Sequence, residues 1–320
     1  MRKLIVALVV GCSVVLQGLV AQATTISVNQ FVEHPALDAV LKGFQDYLKE
    51  KGIEVTYNVH NAQANMGTAT QIAQQMIGEK ADLLVAIATP SAQTCAQALS
   101  KAPADLKRPF LFTAVTDPIA AGLVKDLQKP DNGITGVSDL LPIESHIKMV
   151  LSYSADIKTL GLLYNAGEAN SKATIAGVKA LSKKLGFKTV EATASKTADV
   201  YQAAKSLVGR ADAVFIPTDN TIISALESVL KVGVQNKLPI FAADVDSVKR
   251  GAVAAMGFDY YKHGYQTGAL AEKILGGVKP EDIPVEFQTE LQLHINKNFS
   301  KQMGLTPPEA LLKKASQIYE

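Results

Sequence analysis

Short apolar strands alternate with longer amphipathic helical patterns along this chain, and the same order of elements occurs twice. One buried strand begins at Asp82 and another at Asp212, and in each case a proline opens a further strand 27 positions later, at Pro109 and Pro239. Regular alternation of strands and helices predicts βαβ units and a parallel sheet. Because the pattern restarts near Leu160, we predict an α/β fold with two similar doubly wound parallel-sheet lobes rather than one long sheet.

The last third of the chain is too short to form a third lobe, so we expect it to complete the two sheets. The chain then crosses between the lobes more than once, near residues 137–138, 258–259 and 288–291. Several crossings together predict a hinge. The predicted boundaries are a signal peptide over residues 1–23, lobe I over residues 24–137 plus about 259–288, and lobe II over residues 138–258 plus about 289–320.

The first 23 residues differ in kind from the rest. Two basic residues precede an apolar stretch that runs to about Val20, and Ala21-Gln22-Ala23 fits a signal-peptidase site. This pattern predicts an exported protein that begins at Thr24 and is soluble in the periplasm. The residues before Cys12 also resemble a lipoprotein cleavage box, so a lipid anchor at Cys12 is the alternative; the short apolar stretch in front of it favours the first interpretation.

Composition and motifs exclude several classes of function. The chain carries 32 basic and 30 acidic residues, a formal net charge of +2, which argues against nucleic-acid binding. It contains no G-x-S-x-G, G-x-x-x-x-G-K-[ST] or G-x-G-x-x-G pattern, and its five histidines lack the spacing of metal ligands. We therefore predict no catalytic residues, no metal site and no cofactor.

Polar side chains follow most of the predicted strands. Ligands of open parallel sheets collect beyond the carboxyl ends of the strands, so these residues form the predicted ligand site. They are Gln30, Phe31, Glu33, Thr89, Ser91, Thr116 and Asp117 in lobe I, Asn165, Asn170, Asp219, Asn220 and Asp244 in lobe II, and Asp259 at a crossing. Hydroxyl and N–H donors near Thr89 suit a carboxylate, and Asp219 suits an ammonium. The set fits an amino acid, although a sugar or a nucleoside could use many of the same groups.

Helix capping explains some of the same residues without a ligand. Thr89 before Pro90 fits a pair of N-cap and first helical residue, as does Asp117 before Pro118. Asp219 or Asn220 can cap the helix that follows. We expect Asn220 to cap it while Asp219 faces the cleft between the lobes.

Several of these segments resemble one known family. They are Gln30–Asp38, Ala86–Pro90, Thr116–Pro118 with Ala121–Val124, Gly136–Asp139, Pro217–Thr221 and Asp259–Tyr261. Together they are similar to the ABC-transporter substrate-binding proteins that include tryptophan- and phenylalanine-binding members. The resemblance implies a type I periplasmic-binding-protein fold with three crossovers. It also implies a monomer that captures a small amino acid of the aromatic class between its lobes and delivers it to a membrane permease with a separate ATPase.

Two alternatives to this function stay open at this stage. The same fold binds a nucleoside or a sugar in the first alternative. In the second, the chain is an exported enzyme with a two-lobed α/β scaffold, which requires a nucleophile–base pair or a metal constellation. The sequence shows neither of these arrangements, so we predict that the protein is not an enzyme.

Overall fold

The computed structural model describes residues 24–320, so the predicted signal peptide and Cys12 lie outside the described residues. The strands are β1 (Thr24–Gln30), β2 (Val55–Asn61), β3 (Leu83–Ile87), β4 (Phe110–Thr113), β5 (Ile134–Ser138), β6 (Thr159–Tyr164), β7 (Lys188–Thr193), β8 (Ala213–Ile216), β9 (Ile240–Ala242), β10 (Ala254–Gly257), β11 (Glu286–Phe287), β12 (Gln292–Asn296) and β13 (Gln317–Tyr319).

The helices alternate with these strands. They are α1 (Pro35–Glu50), α2 (Met66–Gly78), α3 (Thr89–Lys101), α4 (Ile143–Leu151), α5 (Ala169–Leu185), α6 (Val200–Lys205), α7 (Asn220–Ser224), α8 (Leu226–Asn236), α9 (Asp246–Arg250), α10 (Tyr260–Leu275), α11 (Lys297–Gln302) and α12 (Glu309–Leu312). Short 3₁₀ helices occur at Ala104–Leu106, Thr197–Asp199 and Pro280–Asp282. Within residues 24–320, no helix has both the length and the hydropathy needed to cross a bilayer.

Two parallel sheets form the centre of the molecule. The first has the strand order β11-β5-β4-β3-β1-β2, and the second has the order β7-β6-β8-β9. All neighbouring strands in both sheets are parallel. Strands β3, β4 and β8 are buried along their whole length, as expected for continuous apolar runs in a parallel sheet. The predicted α/β fold with two similar lobes is confirmed.

The last third of the chain differs in part from the expectation that it completes the two sheets. Strand β11 does extend the first sheet, but β10, β12 and β13 form a small sheet of their own, in which β10 and β12 are antiparallel. A backbone hydrogen bond from Val253 N to Ile240 O, 2.7 Å long, places this sheet beside β9.

Each large sheet has its own hydrophobic core. One core draws its buried residues from positions 26–137 and 260–285, and the other draws them from positions 147–255 and 293–303. Each core therefore combines an earlier segment of the chain with a later one that has crossed back. This pattern supports the lobe boundaries predicted from the sequence, which we keep as a proposal.

Helices α1 and α10 pack closely enough to need glycine at their contact. A Cβ atom on Gly264 would overlap the carbonyl oxygen of Val40, and a Cβ atom on Gly43 would overlap that of Tyr261. Because both helices begin at the same edge of the first sheet, this contact also brings His34, the N-cap of α1, and Tyr260, the first residue of α10, to the side of the molecule that faces lobe II.

We expect Gly264→Ala to lower the free energy of unfolding by about 1–3 kcal/mol, the usual cost of overpacking, because the new methyl group must displace the α1 backbone. Urea unfolding followed by circular dichroism measures the change. Gly78→Ala is the matched control, since a Cβ at this last residue of α2 meets nothing within 4 Å and alanine favours helix. Equal stability of the two variants would show that the helix contact tolerates a side chain.

Candidate ligand-binding site

A cavity lies between the two lobes, at the carboxyl ends of their strands. Its walls are formed by His34, Ala36, Leu37, Ala114, Thr116, Asp139, Asn170, Thr218, Asp219, Asn220, Ile223, Asp244 and Tyr260. These residues surround about 340 Å³ of space that no atom fills, a figure that includes open solvent. The room inside for another molecule is only about 20 Å³, close to what one water molecule needs, so an amino acid enters only if the lobes move apart.

A direct hydrogen bond joins the lobes at this cavity. The hydroxyl oxygens of Thr116, after β4, and Thr218, after β8, are 3.1 Å apart. Thr116 also donates to Asp139 Oδ1 over 2.9 Å, and Asp139 follows β5, where the chain first leaves the first sheet. The contact therefore connects the ends of both sheets to a crossover of the predicted hinge.

Asp219 lies on the lobe II wall, and its carboxylate is already hydrogen-bonded within its own lobe. It is the N-cap of α7, because its Oδ1 accepts from Ile222 N over 2.8 Å. Its Oδ2 accepts from Asn165 N and from Ser171 Oγ, each over 2.6 Å. The expectation that Asn220 caps this helix is therefore wrong: Asp219 has the extended backbone that capping requires, and Asn220 is the first helical residue.

Glu168 is a second buried acid beside Asp219, and the sequence prediction omitted it. Its carboxylate accepts from the backbone N–H and side chain of both Asn220 and Thr221, and from Asn170 Nδ2, over 2.7–3.1 Å. Burial raises the pKa of Asp219 well above its usual range, and the nearby charge of Glu168 raises it further. The N-terminus of α7 therefore already holds two acids.

Asp139 and Asp244 are buried acids with fewer partners. Asp139 accepts from Thr116 and, through Oδ2, from Tyr260 Oη over 2.9 Å. Asp244 accepts from the backbone N–H and the hydroxyl of Ser247 over 2.8 and 2.7 Å. Burial raises the pKa of both carboxyl groups. A carboxylate has about four acceptor positions, so both acids keep capacity for a further donor.

Two uncharged polar atoms on the cavity wall have no partner. His34 Nδ1 accepts from Leu37 N at 3.5 Å, which leaves the ring proton on Nε2 without a hydrogen-bond partner of normal length. Burial lowers the pKa of His34 to about 4, so the ring is neutral at pH 7. The Asn220 side chain of lobe II lies near the ring and raises its pKa, against the larger effect of burial. On lobe II, Asn170 Nδ2 donates to Glu168 and to Thr218 O, whereas Asn170 Oδ1 is buried and unpaired.

Arg250 and Asp246 add charge behind Asp244. The Arg250 Nε and Nη2 atoms donate to the two carboxylate oxygens of Glu227, each over 2.9 Å, while its Nη1 is buried and unpaired. Burial raises the pKa of Asp246 to about 6, with the charge of Asp244 as the next cause, and the positive charge of Arg250 opposes this rise. Neither residue was in the predicted site: Asp246 follows a strand end, but no local pattern indicates Arg250.

The structure brings five of the thirteen predicted site residues to the cavity wall. They are Thr116, Asn170, Asp219, Asn220 and Asp244. Asn165 supports the wall from behind, since its side chain donates to Thr221 Oγ1 over 2.9 Å. The wall residues absent from the prediction include Asp139, which stands within the Gly136–Asp139 segment of the family resemblance.

The other predicted residues lie away from the cavity wall. Gln30 donates to Asp38, Phe31 is buried in the lobe I core, Glu33 is exposed, Ser91 donates to Asn29, and Asp259 caps α10. Asp117 accepts from the N–H groups of Ile119 and Ala120, but these residues form a turn and no helix follows Pro118, so the predicted helix N-cap is wrong. Their part in binding stays a prediction.

Thr89 differs from the expected N-cap. It is the first residue of α3, and the N-cap position is Ala88, which has no capping side chain and an unusual backbone with φ 80° and ψ 152°. Such a conformation is strained for a residue with a Cβ. The Thr89 hydroxyl is buried and has no partner, and α3 contacts α5 of the other lobe.

Among residues 24–320, no group of three or more potential metal ligands comes together.

The chain matches known proteins over almost all of its described length. The profile of the family described as ABC transporter substrate binding protein matches residues 25–319. A tyrosine-binding protein of Clostridioides difficile (strain R20291) is 40% identical over 284 residues, which cover 88% of this chain and 81% of that protein.

Two solved structures are also similar. A domain from Streptococcus pneumonia in complex with L-Trp is 34% identical, with a TM-score of 0.87, and the match covers 93% of this chain and 100% of that one. The ligand-free, open structure of a substrate-binding protein from Clostridium difficile is 37% identical, with a TM-score of 0.67 and coverage of 92% and 99%. These relatives are binding proteins, which confirms that the chain is not an enzyme. It belongs to the family of ABC transporter substrate-binding proteins.

Proposed function

We propose that the protein captures an aromatic amino acid in the cavity between its lobes and delivers it to the permease of an ABC importer. The observation that carries this proposal is the cavity itself, which combines buried acids with unpaired polar atoms from both lobes. The named ligands of two relatives, tyrosine and L-Trp, support an aromatic amino acid. We further propose that the protein is exported to the periplasm, works as a monomer and has no cofactor.

Asp244 and Asp139 are the proposed partners of the ligand ammonium. Both are buried, both line the cavity, and each accepts from only two side-chain or neighbouring backbone donors. Asp219 already accepts from three donors in its own lobe, so its main role is to hold the N-terminus of α7 in place. An ammonium between the acids would offset the cost of burying their negative charge.

The ligand carboxylate requires donors, and lobe I supplies them. His34 Nε2 is a buried donor on the cavity wall, at the N-terminus of the 16-residue helix α1. Thr89 stays a second proposed donor because its hydroxyl is buried without a partner at the uncapped start of α3, a helix that contacts α5 of the other lobe. The two ends of an amino acid would thus contact different lobes, so binding would favour closure.

A hinge movement between the lobes would explain why the two similar structures differ in their TM-scores to this chain. The relatives in the L-Trp complex and in the open, ligand-free structure have nearly the same identity to this chain, 34% and 37%, yet their TM-scores are 0.87 and 0.67. Sequence divergence therefore does not explain the lower score. We propose that this chain is in a closed form and that its lobes move as two bodies about the crossovers.

We expect the purified protein to bind L-tyrosine, L-phenylalanine or L-tryptophan with micromolar or tighter affinity. Because the chain contains no tryptophan, the emission of added L-tryptophan reports binding without a protein background. Native mass spectrometry shows any ligand retained during purification. Ribose and adenosine serve as controls for the two alternative ligand classes, and a response to one of them with none to aromatic amino acids would contradict the proposal.

Asp244→Asn should weaken amino-acid binding by about 2–4 kcal/mol, as expected when a buried charge loses its partner. Isothermal titration calorimetry measures the change, and the thermal unfolding midpoint shows whether the variant is folded. Glu54→Gln removes one negative charge from an exposed position off the cavity wall and should change affinity less than twofold. If Asp244→Asn bound as tightly as Glu54→Gln, Asp244 would not be the ammonium partner.

Affinity should fall as the pH is lowered from 7 to 5. Burial raises the pKa of Asp139 and Asp244, and that of neighbouring Asp246 to about 6, whereas a bound ammonium would lower these pKa values in the complex. Binding then releases protons, so affinity drops by up to about tenfold for each pH unit below the pKa of the free protein. The unliganded protein should gain stability over the same range, because acids with raised pKa values take up protons only when folded. Affinity that is constant from pH 7 to 5 would contradict an ammonium bound by these acids.

A further inference from the structure

A second cavity adjoins the first and has a different chemical character. The two cavities share Thr116 and Thr218, whose hydrogen-bonded hydroxyls lie between them. The second surrounds about 510 Å³ of unfilled space, part of it open to solvent. Apart from the threonines, its walls are mainly Leu140, Leu141, Ile143, Ala173, Gly177 and Ala243. It too lies between the lobes, because Thr116 follows a strand of the first sheet and Gly177 belongs to α5.

The buried charges of the first cavity are absent from the second. Neither Asp139, Asp219 nor Asp244 lines it. Its one charged residue is Asp117, whose Oδ1 accepts from Ile119 N and Ala120 N over 3.1 and 2.9 Å. A polar compartment and an apolar compartment therefore meet at a single pair of threonines.

We propose that the second cavity is the side-chain subsite, which receives the aromatic or large aliphatic side chain of the ligand while its amino and carboxylate groups occupy the first cavity. This inference rests on the proposed amino-acid function. An amino acid has the same division, with charged groups at one end and, in the aromatic class, a large apolar group at the other. The Thr116–Thr218 bond separates when the lobes open, and a ligand that lies across its position keeps the two hydroxyls apart when the lobes close on it.

The exposed surface of Leu140 supports an occupant of this kind. Leu140 is 48% exposed at the wall of this apolar cavity. An apolar side chain in the cavity would cover this leucine and remove both surfaces from water, which stabilises the complex by about 25 cal/mol per Å² buried.

Small residues on α5 keep the subsite open. Ala173 and Gly177 are four residues apart, so they lie on the same face of the helix. A Cβ on Gly177 would meet only Ile143 Cγ2, at the ordinary contact distance of 3.5 Å. The backbone thus tolerates a side chain at this position, and a longer one would extend into the cavity. The size of residue 177 is therefore expected to limit the size of the ligand side chain.

The test compares Gly177→Leu with Ala176→Leu. Ala176 is the exposed neighbour of Gly177 on α5 and lines neither cavity, so the control adds the same side chain to the same helix outside the subsite. We expect Gly177→Leu to weaken the binding of L-tryptophan, L-tyrosine and L-phenylalanine at least tenfold, with the largest loss for L-tryptophan, and Ala176→Leu to bind as the wild type does. Equal thermal midpoints of the two variants show that both are folded, and Ala173→Leu replaces Gly177→Leu if that variant is unstable.

The emission of L-tryptophan bound to the wild type gives a second measurement. An indole in the apolar cavity should emit at shorter wavelength than free L-tryptophan and resist quenching by iodide. If the wild type binds aromatic amino acids and Gly177→Leu binds them equally well, the side-chain subsite is wrong and the proposed function stands. If the wild type binds no aromatic amino acid, both proposals fail.

Discussion

The burial of carboxylates between the lobes is the constraint on which the rest of the site depends. Asp139, Glu168, Asp219 and Asp244 are each less than 5% exposed, and a buried charge without partners is very costly. Parallel strands solve part of this problem, because they direct helix N-termini, with their free N–H groups, to one edge of the sheet. Hydrogen-bond donors occupy most acceptor positions of the Asp219 and Glu168 carboxylates. The carboxylates of Asp139 and Asp244 have fewer donors, and a cationic group of a ligand would neutralise their remaining negative charge.

Few contacts hold the two lobes together at the cavity, whereas extensive apolar packing holds each lobe together internally. Each lobe has an extensive apolar core of its own, whereas at the cavity the lobes are joined by a few hydrogen bonds, among them the one between the hydroxyls of Thr116 and Thr218. A bond between two hydroxyls contributes only about 1 kcal/mol. The lobes can therefore separate without disturbing either core, and the crossovers keep them together. Such an arrangement allows a ligand that contacts both lobes to shift the balance between open and closed forms.

The expectation that ligands collect beyond the carboxyl ends of parallel strands led to the cavity between the lobes, but it did not assign roles to the residues there. Thr116, Asn170, Asp219, Asn220 and Asp244 follow predicted strands and do line the cavity. Capping was harder to predict, because adjacent residues such as Asp219 and Asn220 are both good N-caps and only the backbone geometry distinguishes them. Thr89 was misassigned because the helix begins one residue earlier than its sequence indicates, after Ala88, which is a poor N-cap. Glu168 follows β6 as Asn170 does but was not selected, whereas Arg250 stands at no strand end. The importance of both residues arises from partners about 50 and 23 positions away in the chain.

Three features could be predicted from the amino-acid sequence alone: the alternation of strands and helices, the repetition of that order in two lobes, and the edge of the sheets at which polar residues collect. They follow from local periodicity and from the geometry of parallel strands. Only the tertiary structure decided which acids are saturated, that His34 and Asn170 keep unpaired atoms, and that an apolar cavity adjoins the polar one. Those properties depend on distances between side chains from different lobes. Such distances result from how the two cores orient the lobes about the crossovers, and no local pattern of residues encodes them.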